Sequence, residues 1–223
     1  GALMAIARFV LKTLAGIDRP AIAKMMPSLG GSTCVLDLGA NVDSSPEQLY
    51  QFALMGSALY ASMHHKDQPT VGLLNVGTEA MKGSESIKQS YDLLAAHQGQ
   101  GFEFVGNVEG SDIYSGRVNV VVCDGFAGNA ALKASEGVAK YMGHMLRTSF
   151  QQNLCYRFLG LLAYPVLRRF KHTVDPRKYN GASFLGLRGL VVKSHGGADA
   201  TAFAYALEQA YQEAKYQVIP HIE

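Results

Sequence analysis

The hydrophobic positions of this chain change period repeatedly, and each change predicts an element boundary. Apolar, mostly β-branched runs at Thr33 to Leu38, Val71 to Val76, Phe102 to Val105, Val118 to Cys123 and Leu190 to Val192 lack helical spacing and read as short buried strands. Each ends in a polar turn, glycine-bearing in every case, and helical periodicity follows most of them. Leu49, Phe52, Gly56, Leu59 and Met63 share a helical face behind Ser45-Pro46-Glu47-Gln48, a capping-box sequence with proline at the first helical position. Ile87, Tyr91 and Leu94 align on a helix from about Ser84; Phe203, Leu207, Ala210 and Ala214 align on another from about Asp199. In the run from Val118 to Tyr141, Asn129 reads as the N-cap of a helix whose spacing is kept by Ala131, Leu132, Ser135, Val138 and Ala139. Residues 1–14 read as a helix, Gly16 to Gly31 as a connection carrying Pro20 and Pro27, and Ile113 to Gly116 as a link.

This alternation predicts an α/β fold, three-layer α/β/α, with a largely parallel sheet covered by helices on both faces. One domain spans residues 1–223, with a basic, apolar helical excursion at about 150–180. In such sheets ligands bind outside the carboxyl ends of the strands. All five glycine turns lie there in sequence terms, so they are expected to converge on one crevice.

Composition narrows the function classes. Lys plus Arg number 20 against 18 Asp plus Glu, a balance that argues against a nucleic-acid surface. Cys34, Cys123 and Cys155 lie far apart without C-x-x-C spacing, which predicts neither a zinc site nor a disulfide framework and fits a reducing cytoplasm. No apolar run reaches the roughly 18 residues of a spanning helix, and no secretory signal opens the chain. The chain starts with Gly1 and an apolar helical pattern, which reads as a start cut from a longer sequence.

The polar turns carry the candidate chemistry. Asp124, Gly125, Gly128 and Asn129 read either as a tight turn with a helix cap or as an anion site in front of free helix N–H groups. A cap needs one residue and this turn spends four, which favours the anion site. Lys82, between Glu79 and Gly83, is either a solvated loop lysine or an anion-neutralising one. His195, in Lys193-Ser194-His195-Gly196-Gly197, is either a general acid or base or a hydrogen-bonded turn residue. For Asp37, Asn41, Asn107 and Glu109, backbone duty in turns is the default. The dinucleotide, P-loop, zincin and serine-hydrolase motifs are absent, and no ligand spacing supports a metal.

Between Leu154 and Lys178 a strongly apolar run is flanked by Arg157 on one side and by Arg168, Arg169, Lys171, Arg177 and Lys178 on the other. From the pattern alone, a buried helical hairpin or subunit interface kinked at Pro165 is favoured. The second reading is an interfacial membrane contact, with Leu161 and Leu162 entering the headgroup boundary and the basic residues meeting anionic lipid.

Five motifs in order carry a family resemblance: Asp-Leu-Gly-Ala-Asn at 37–41, Gly-x-Glu-x-x-Lys-Gly at 77–83, Gly-Asn-Val-Glu-Gly at 106–110, Cys-Asp-Gly-Phe-x-Gly-Asn at 123–129 and Lys-Ser-His-Gly at 193–196. Together they resemble the bacterial phosphate acyltransferases of the PlsX family, over essentially the whole chain. That family is longer at the N-terminus by something like a third. The resemblance implies a fold like that of isocitrate and isopropylmalate dehydrogenases and of phosphotransacetylase. It also implies a homodimer at the cytoplasmic face of the inner membrane. The implied reaction moves a long-chain acyl group from acyl carrier protein to inorganic phosphate, giving acyl phosphate for phospholipid synthesis, with no metal or nucleotide cofactor.

Under that resemblance Lys82 neutralises phosphate or the tetrahedral intermediate, and Asn129 with the Gly125 to Gly128 backbone orients it. His195 shuttles a proton, with Asp124 placing it or a neighbour. Asn41, Glu79, Asn107, Lys193 and Ser194 join the substrate-binding set. The resemblance also raises the membrane reading of the basic apolar segment, with Arg168, Arg169 and Lys171 alternatively receiving the acidic carrier protein. Competing readings are a phosphotransacetylase or dehydrogenase of the same fold, and a non-catalytic binding module.

Overall fold

Two kinds of backbone pairing meet in one sheet, and their meeting point decides where the functional turns go. The computed structural model describes residues 2–173 and 175–222. Gly1, in the opening helical pattern, and Val174, in the basic apolar segment, lie outside the described residues. Four strands run parallel: β2 (Gly31–Leu36), β3 (Thr70–Leu74), β4 (Glu103–Val108) and β5 (Val120–Val122). β1 (Ala21–Ser28) lies antiparallel to β2, β6 (Ala182–Leu185) antiparallel to β1, and β7 (Val192–Lys193) antiparallel to β6. The order across the sheet is β4-β3-β5-β2-β1-β6-β7.

Helices cover both faces. On one, α2 (Pro46–His64), α3 (Glu85–Ala96), α8 (Ala200–Lys215) and α9 (Val218–Ile222) pack over the sheet, and Phe52, Leu59, Leu94, Phe102 and Val218 join one apolar cluster. On the other, α1 (Ala2–Leu11), α4 (Asp112–Ser115) and the first turns of α5 (Gly125–Gln151) meet Ile22, Met26, Val35 and Val121. The three-layer α/β/α arrangement follows from that division.

The caps explain the helix starts. Ser45 and Gln48 form the reciprocal capping box, and Ser84 and Asp199 accept from Ile87 N and Ala202 N. Asn129 is not a cap, contrary to expectation. α5 begins five residues earlier, because Asp124 already accepts from Ala127 N at 2.7 Å and leaves Asn129 inside the helix.

The stretch read as a connection at 16–31 contains β1. Pro27 is tolerated because only Ala21 to Ala23 also pair with β6, so at Pro27 the strand has one hydrogen-bonded neighbour. The four-residue β6 is too short to show a period. The link at 113–116 closes as the single turn of α4.

α5 runs 27 residues, yet its buried residues are only Gly125 and Gly128, so the helix soon leaves the sheet. Beyond it, α6 (Leu154–Leu162) turns back along the end of α5 as a helical hairpin, with Phe150 against Gly160, and α7 (Tyr164–Thr173) follows after Ala163 alone, then a 3₁₀ turn at Pro176–Tyr179. Pro165 lies in the first turn of α7, where its missing N–H costs nothing, two residues past the break at Ala163. The hairpin is not buried: no residue of α6 is, and Leu161 and Leu162 are 77% and 64% exposed.

Candidate active site

Parallel pairing puts the carboxyl ends of β2, β3, β4 and β5 on one edge, so four of the five polar turns share it. The turns after β2 and β5 are locked together. The buried Asp37 carboxylate accepts from the N–H groups of Ile22, Gly39, Ala40 and Asn41 and from Asn41 Nδ2, shaping the loop around itself. Burial pushes its carboxyl up, and these hydrogen bonds pull it back. The loop so shaped presents the Asn41 and Val42 carbonyls to α5, where they accept from Gly125 N and Phe126 N.

The N-terminal donors of α5 are therefore occupied. Gly125 N and Phe126 N bind the 41–42 loop, Ala127 N binds Asp124 Oδ1, and Gly128 N binds the Asp124 carbonyl. Gly125 and Gly128 serve close packing: a Cβ on either would overlap a carbonyl oxygen, that of Asn41 or of Asp37. The free N–H cradle expected at Gly125 to Gly128 is thus replaced by a helix-to-loop lock. Asn129, one turn in, is exposed beside Gly39, and its amide has no hydrogen bond among the described residues. Cys123 is buried beneath this lock, its Sγ directed at the Leu36 carbonyl, and burial pushes its thiol far up, out of reactive range.

The turns after β3 and β4 form a second pair. Asn107 Nδ2 donates to the Glu79 carbonyl, and Asn75 Nδ2 donates to the Lys82 carbonyl. Asn107 Oδ1 is buried without a partner. Lys82 Nζ lies 2.8 Å from Glu79 Oε2, across Gly77, which leaves space for the folded side chains. That hydrogen bond lowers the Glu79 carboxyl and raises the Lys82 ammonium, with Glu109 adding to the latter. Both side chains are largely exposed, and Lys82 is a cation already partnered by a carboxylate.

The fifth turn goes elsewhere. β7 runs antiparallel to β6, so Lys193, Ser194 and His195 leave the sheet toward the opposite edge. Four strand spacings, roughly 19 Å at about 4.8 Å each, also separate β7 from β5. His195 therefore does not meet Asp124, which is engaged as a helix cap. Asn180, buried, holds this turn instead: its Oδ1 accepts from His195 N and its Nδ2 donates to Ser194 Oγ. Gly197 N donates to His195 Nδ1 at 3.1 Å. Sequence reasoning missed Asn180, whose contacts with Ser194 and His195 are set by the antiparallel pairing of β6 and β7, which no local pattern encodes.

Arg168, Arg169 and Lys171 are exposed on α7 beside the exposed apolar residues of the hairpin. Among the described residues no helix is long and apolar enough to cross a membrane, and no group of three or more His, Cys, Asp or Glu is placed to hold a metal.

Comparison with known proteins supports the family resemblance. The chain matches the family described as "Fatty acid synthesis protein" over residues 1–221. It is 58% identical over 222 residues to a phosphate acyltransferase of Nitrosococcus oceani, covering 100% of this chain and 64% of that protein. A phosphate acyltransferase of Polaromonas sp. is 56% identical over 224 residues, covering 100% of this chain and 60% of the relative. The chain thus spans less than two thirds of the length of these relatives. Among solved structures, a branched-chain phosphotransacylase from Enterococcus faecalis has a similar fold, with TM-score 0.53 and 13% identity, covering 87% of this chain and 64% of that one. With a match along nearly its whole length and these identities, the chain belongs to the fatty acid synthesis protein family.

Proposed function

We propose that this chain carries acyl transfer to inorganic phosphate, moving a long-chain acyl group from acyl carrier protein to give acyl phosphate for phospholipid synthesis. The observation that carries the reading is the 58% identity, along the full chain, to a relative named phosphate acyltransferase. In this reaction a phosphate oxygen attacks the thioester carbonyl carbon. The tetrahedral intermediate collapses with cleavage of the C–S bond, and the carrier thiol leaves with a proton. Two anions must be accommodated, the phosphate and the developing oxyanion, and each well-placed donor is worth roughly 3 kcal/mol.

The residues divide into two stations. Lys82, with its Glu79 partner, and the unpaired amide of Asn129 serve the edge beyond the parallel strands. Asn41, Asn107 and Asp124 support them by holding the turns. Lys193, Ser194 and His195 serve the antiparallel half, with His195 moving the proton. The exposed α6–α7 segment, led by Leu161 and Leu162 with Arg168, Arg169 and Lys171 beside them, makes a peripheral contact with anionic membrane or receives the acidic carrier protein. The assembly is a homodimer in the cytoplasm.

The test is acyl phosphate formation from acyl carrier protein thioester and phosphate, by this chain and by a version extended at the N-terminus. Turnover is expected from at least the extended version, falling about a hundredfold in Lys82→Ala, Asn129→Ala or His195→Ala. A folded extended protein without turnover would refute the activity. Near-parent rates in a folded variant would remove that residue from the mechanism.

A further inference from the structure

One row can be followed across the antiparallel half of the sheet by continuing the β1–β6 register one residue past its last pair: Val35 lies opposite Lys24 on β1, and Ala182 on β6 lies opposite Lys193 on β7. The β1–β6 register, Ala21 to Leu185 through Ala23 to Ser183, brings Lys24 and Ala182 into the same row. Strand alternation turns this row toward α5, because Ile22 and Met26, on either side of Lys24, and Val35 and Ala182 all join the apolar cluster of that face. Lys24 and Lys193 therefore flank the small Ala182 on one face, two strands and about 10 Å apart. Ala131 and Leu132 of α5 pack over Met26 and Val35 at one end of the row. Within the next turn of the helix, Lys133 Nζ and Glu136 Oε2 form an ion pair of 2.9 Å.

The charges here are not balanced. Lys24 and Lys133 share the carboxylate of Glu136, which burial pushes up while the Lys133 hydrogen bond, with smaller help from Lys24 and His195, holds it low on balance; Lys24 and Lys193 have no ion pair of their own among the described residues. Burial pushes the Lys24 ammonium down, the Glu136 carboxylate opposes that, and the Lys133 charge adds a smaller downward push. His195 brings a donor: its Nδ1 accepts from Gly197 N, so the neutral ring carries its proton on Nε2. At the Lys82 edge the lysine is paired with its own carboxylate, as Lys133 is here, and the helix N–H groups are taken, whereas Lys24 and Lys193 carry no such pair among the described residues.

We propose that Lys24, Lys133 and Lys193, with His195, form a binding station for a phosphate group over the antiparallel half of the sheet, in which Glu136 positions Lys133. This deepens the acyl-phosphate reading by assigning the anion to this station rather than to the α5 N-terminus, and it rests on that reading for the identity of the anion. A phosphate dianion between Lys24 and Lys193 meets two cations and an imidazole donor above an alanine floor. Free phosphate offers this chemistry as a dianion, and the phosphodiester that joins a pantetheine arm to its carrier offers it as a monoanion.

Lysine reactivity reads the station directly in the unmodified protein. Reductive methylation followed by mass spectrometry, with and without inorganic phosphate, is expected to slow at Lys24, Lys133 and Lys193 at least fivefold, with chloride at equal ionic strength giving no protection. Phosphopantetheine set against pantetheine forms the second arm. Protection by inorganic phosphate alone assigns the station to the free anion; protection by phosphopantetheine as well extends it to the carrier arm. Calorimetric phosphate affinity should fall about tenfold in each of Lys24→Gln and Lys193→Gln, the scale of one charge-assisted contact. Phosphate protection confined to Lys82, protection matched by chloride, or unchanged affinity in both folded variants overturns the assignment. Phosphate binding here without turnover would refute only the activity, and turnover without protection here would refute only the station.

Discussion

Gly128 lies so close against the Asp37 carbonyl that a Cβ at position 128 would overlap that oxygen, with Cys123 Sγ crowding it as well. This contact seats α5 on the loop that Asp37 organises. Because the neighbour is backbone, it has little room to give. Gly128→Ala is expected to cost about 3 kcal/mol of unfolding free energy, the upper range for overpacking, measured by urea denaturation. A loss under about 0.5 kcal/mol would show that the helix shifts freely and that no lock exists.

Asp124 is the cap of the same helix, its Oδ1 2.7 Å from Ala127 N. Asp124→Ala should lower stability by about 1 kcal/mol, and Asp124→Ser should restore most of it, since a serine hydroxyl caps nearly as well. Equal melting of the two variants would speak against the capping role.

Glu213 is 1% exposed, with Oε1 accepting from Ser183 Oγ and Gln209 Nε2 while Oε2 has no partner. Burial raises its carboxyl above the ordinary 4.5, against the pull of those hydrogen bonds. A raised folded-state value means that this group's favourable contribution is full below pH 4.5 and is lost as pH rises through the folded value. Glu213→Gln, neutral throughout, should therefore gain stability relative to the parent between pH 4.5 and neutrality, by on the order of 1–3 kcal/mol. Parallel stability curves over that range would contradict the argument.

On the hairpin, Leu161 and Leu162 are exposed, so changing both to Glu should leave the melting temperature within about 1 °C of the parent, as for surface sites remote from packing. The same change should abolish co-flotation with vesicles rich in anionic lipid. Undiminished flotation would end the membrane-contact reading and leave the carrier protein as the partner for Arg168, Arg169 and Lys171.

The sequence by itself determined much of this protein. Periodicity marked the parallel strands and the helices between them, because each must bury a continuous apolar run or stripe. Ser45, Ser84 and Asp199 announced their helices because a cap is a local hydrogen bond. The motifs at 37–41, 77–83, 106–110 and 123–129 were legible as strand-end turns, and parallel pairing put them on one edge.

Tertiary structure decided the rest. Whether the N–H groups before Asn129 were free depended on the Asn41 and Val42 carbonyls, more than eighty residues away in sequence. β1 was hidden by Pro27 and β6 by its length; direction reverses at each of β1, β6 and β7, and the third reversal sends His195 away from the other turns. Lys24 had no sequence pattern to distinguish it. Only antiparallel register placed it in one row with Lys193 and beside Lys133, because a strand's neighbours are fixed by pairing across the sheet and not by adjacency along the chain.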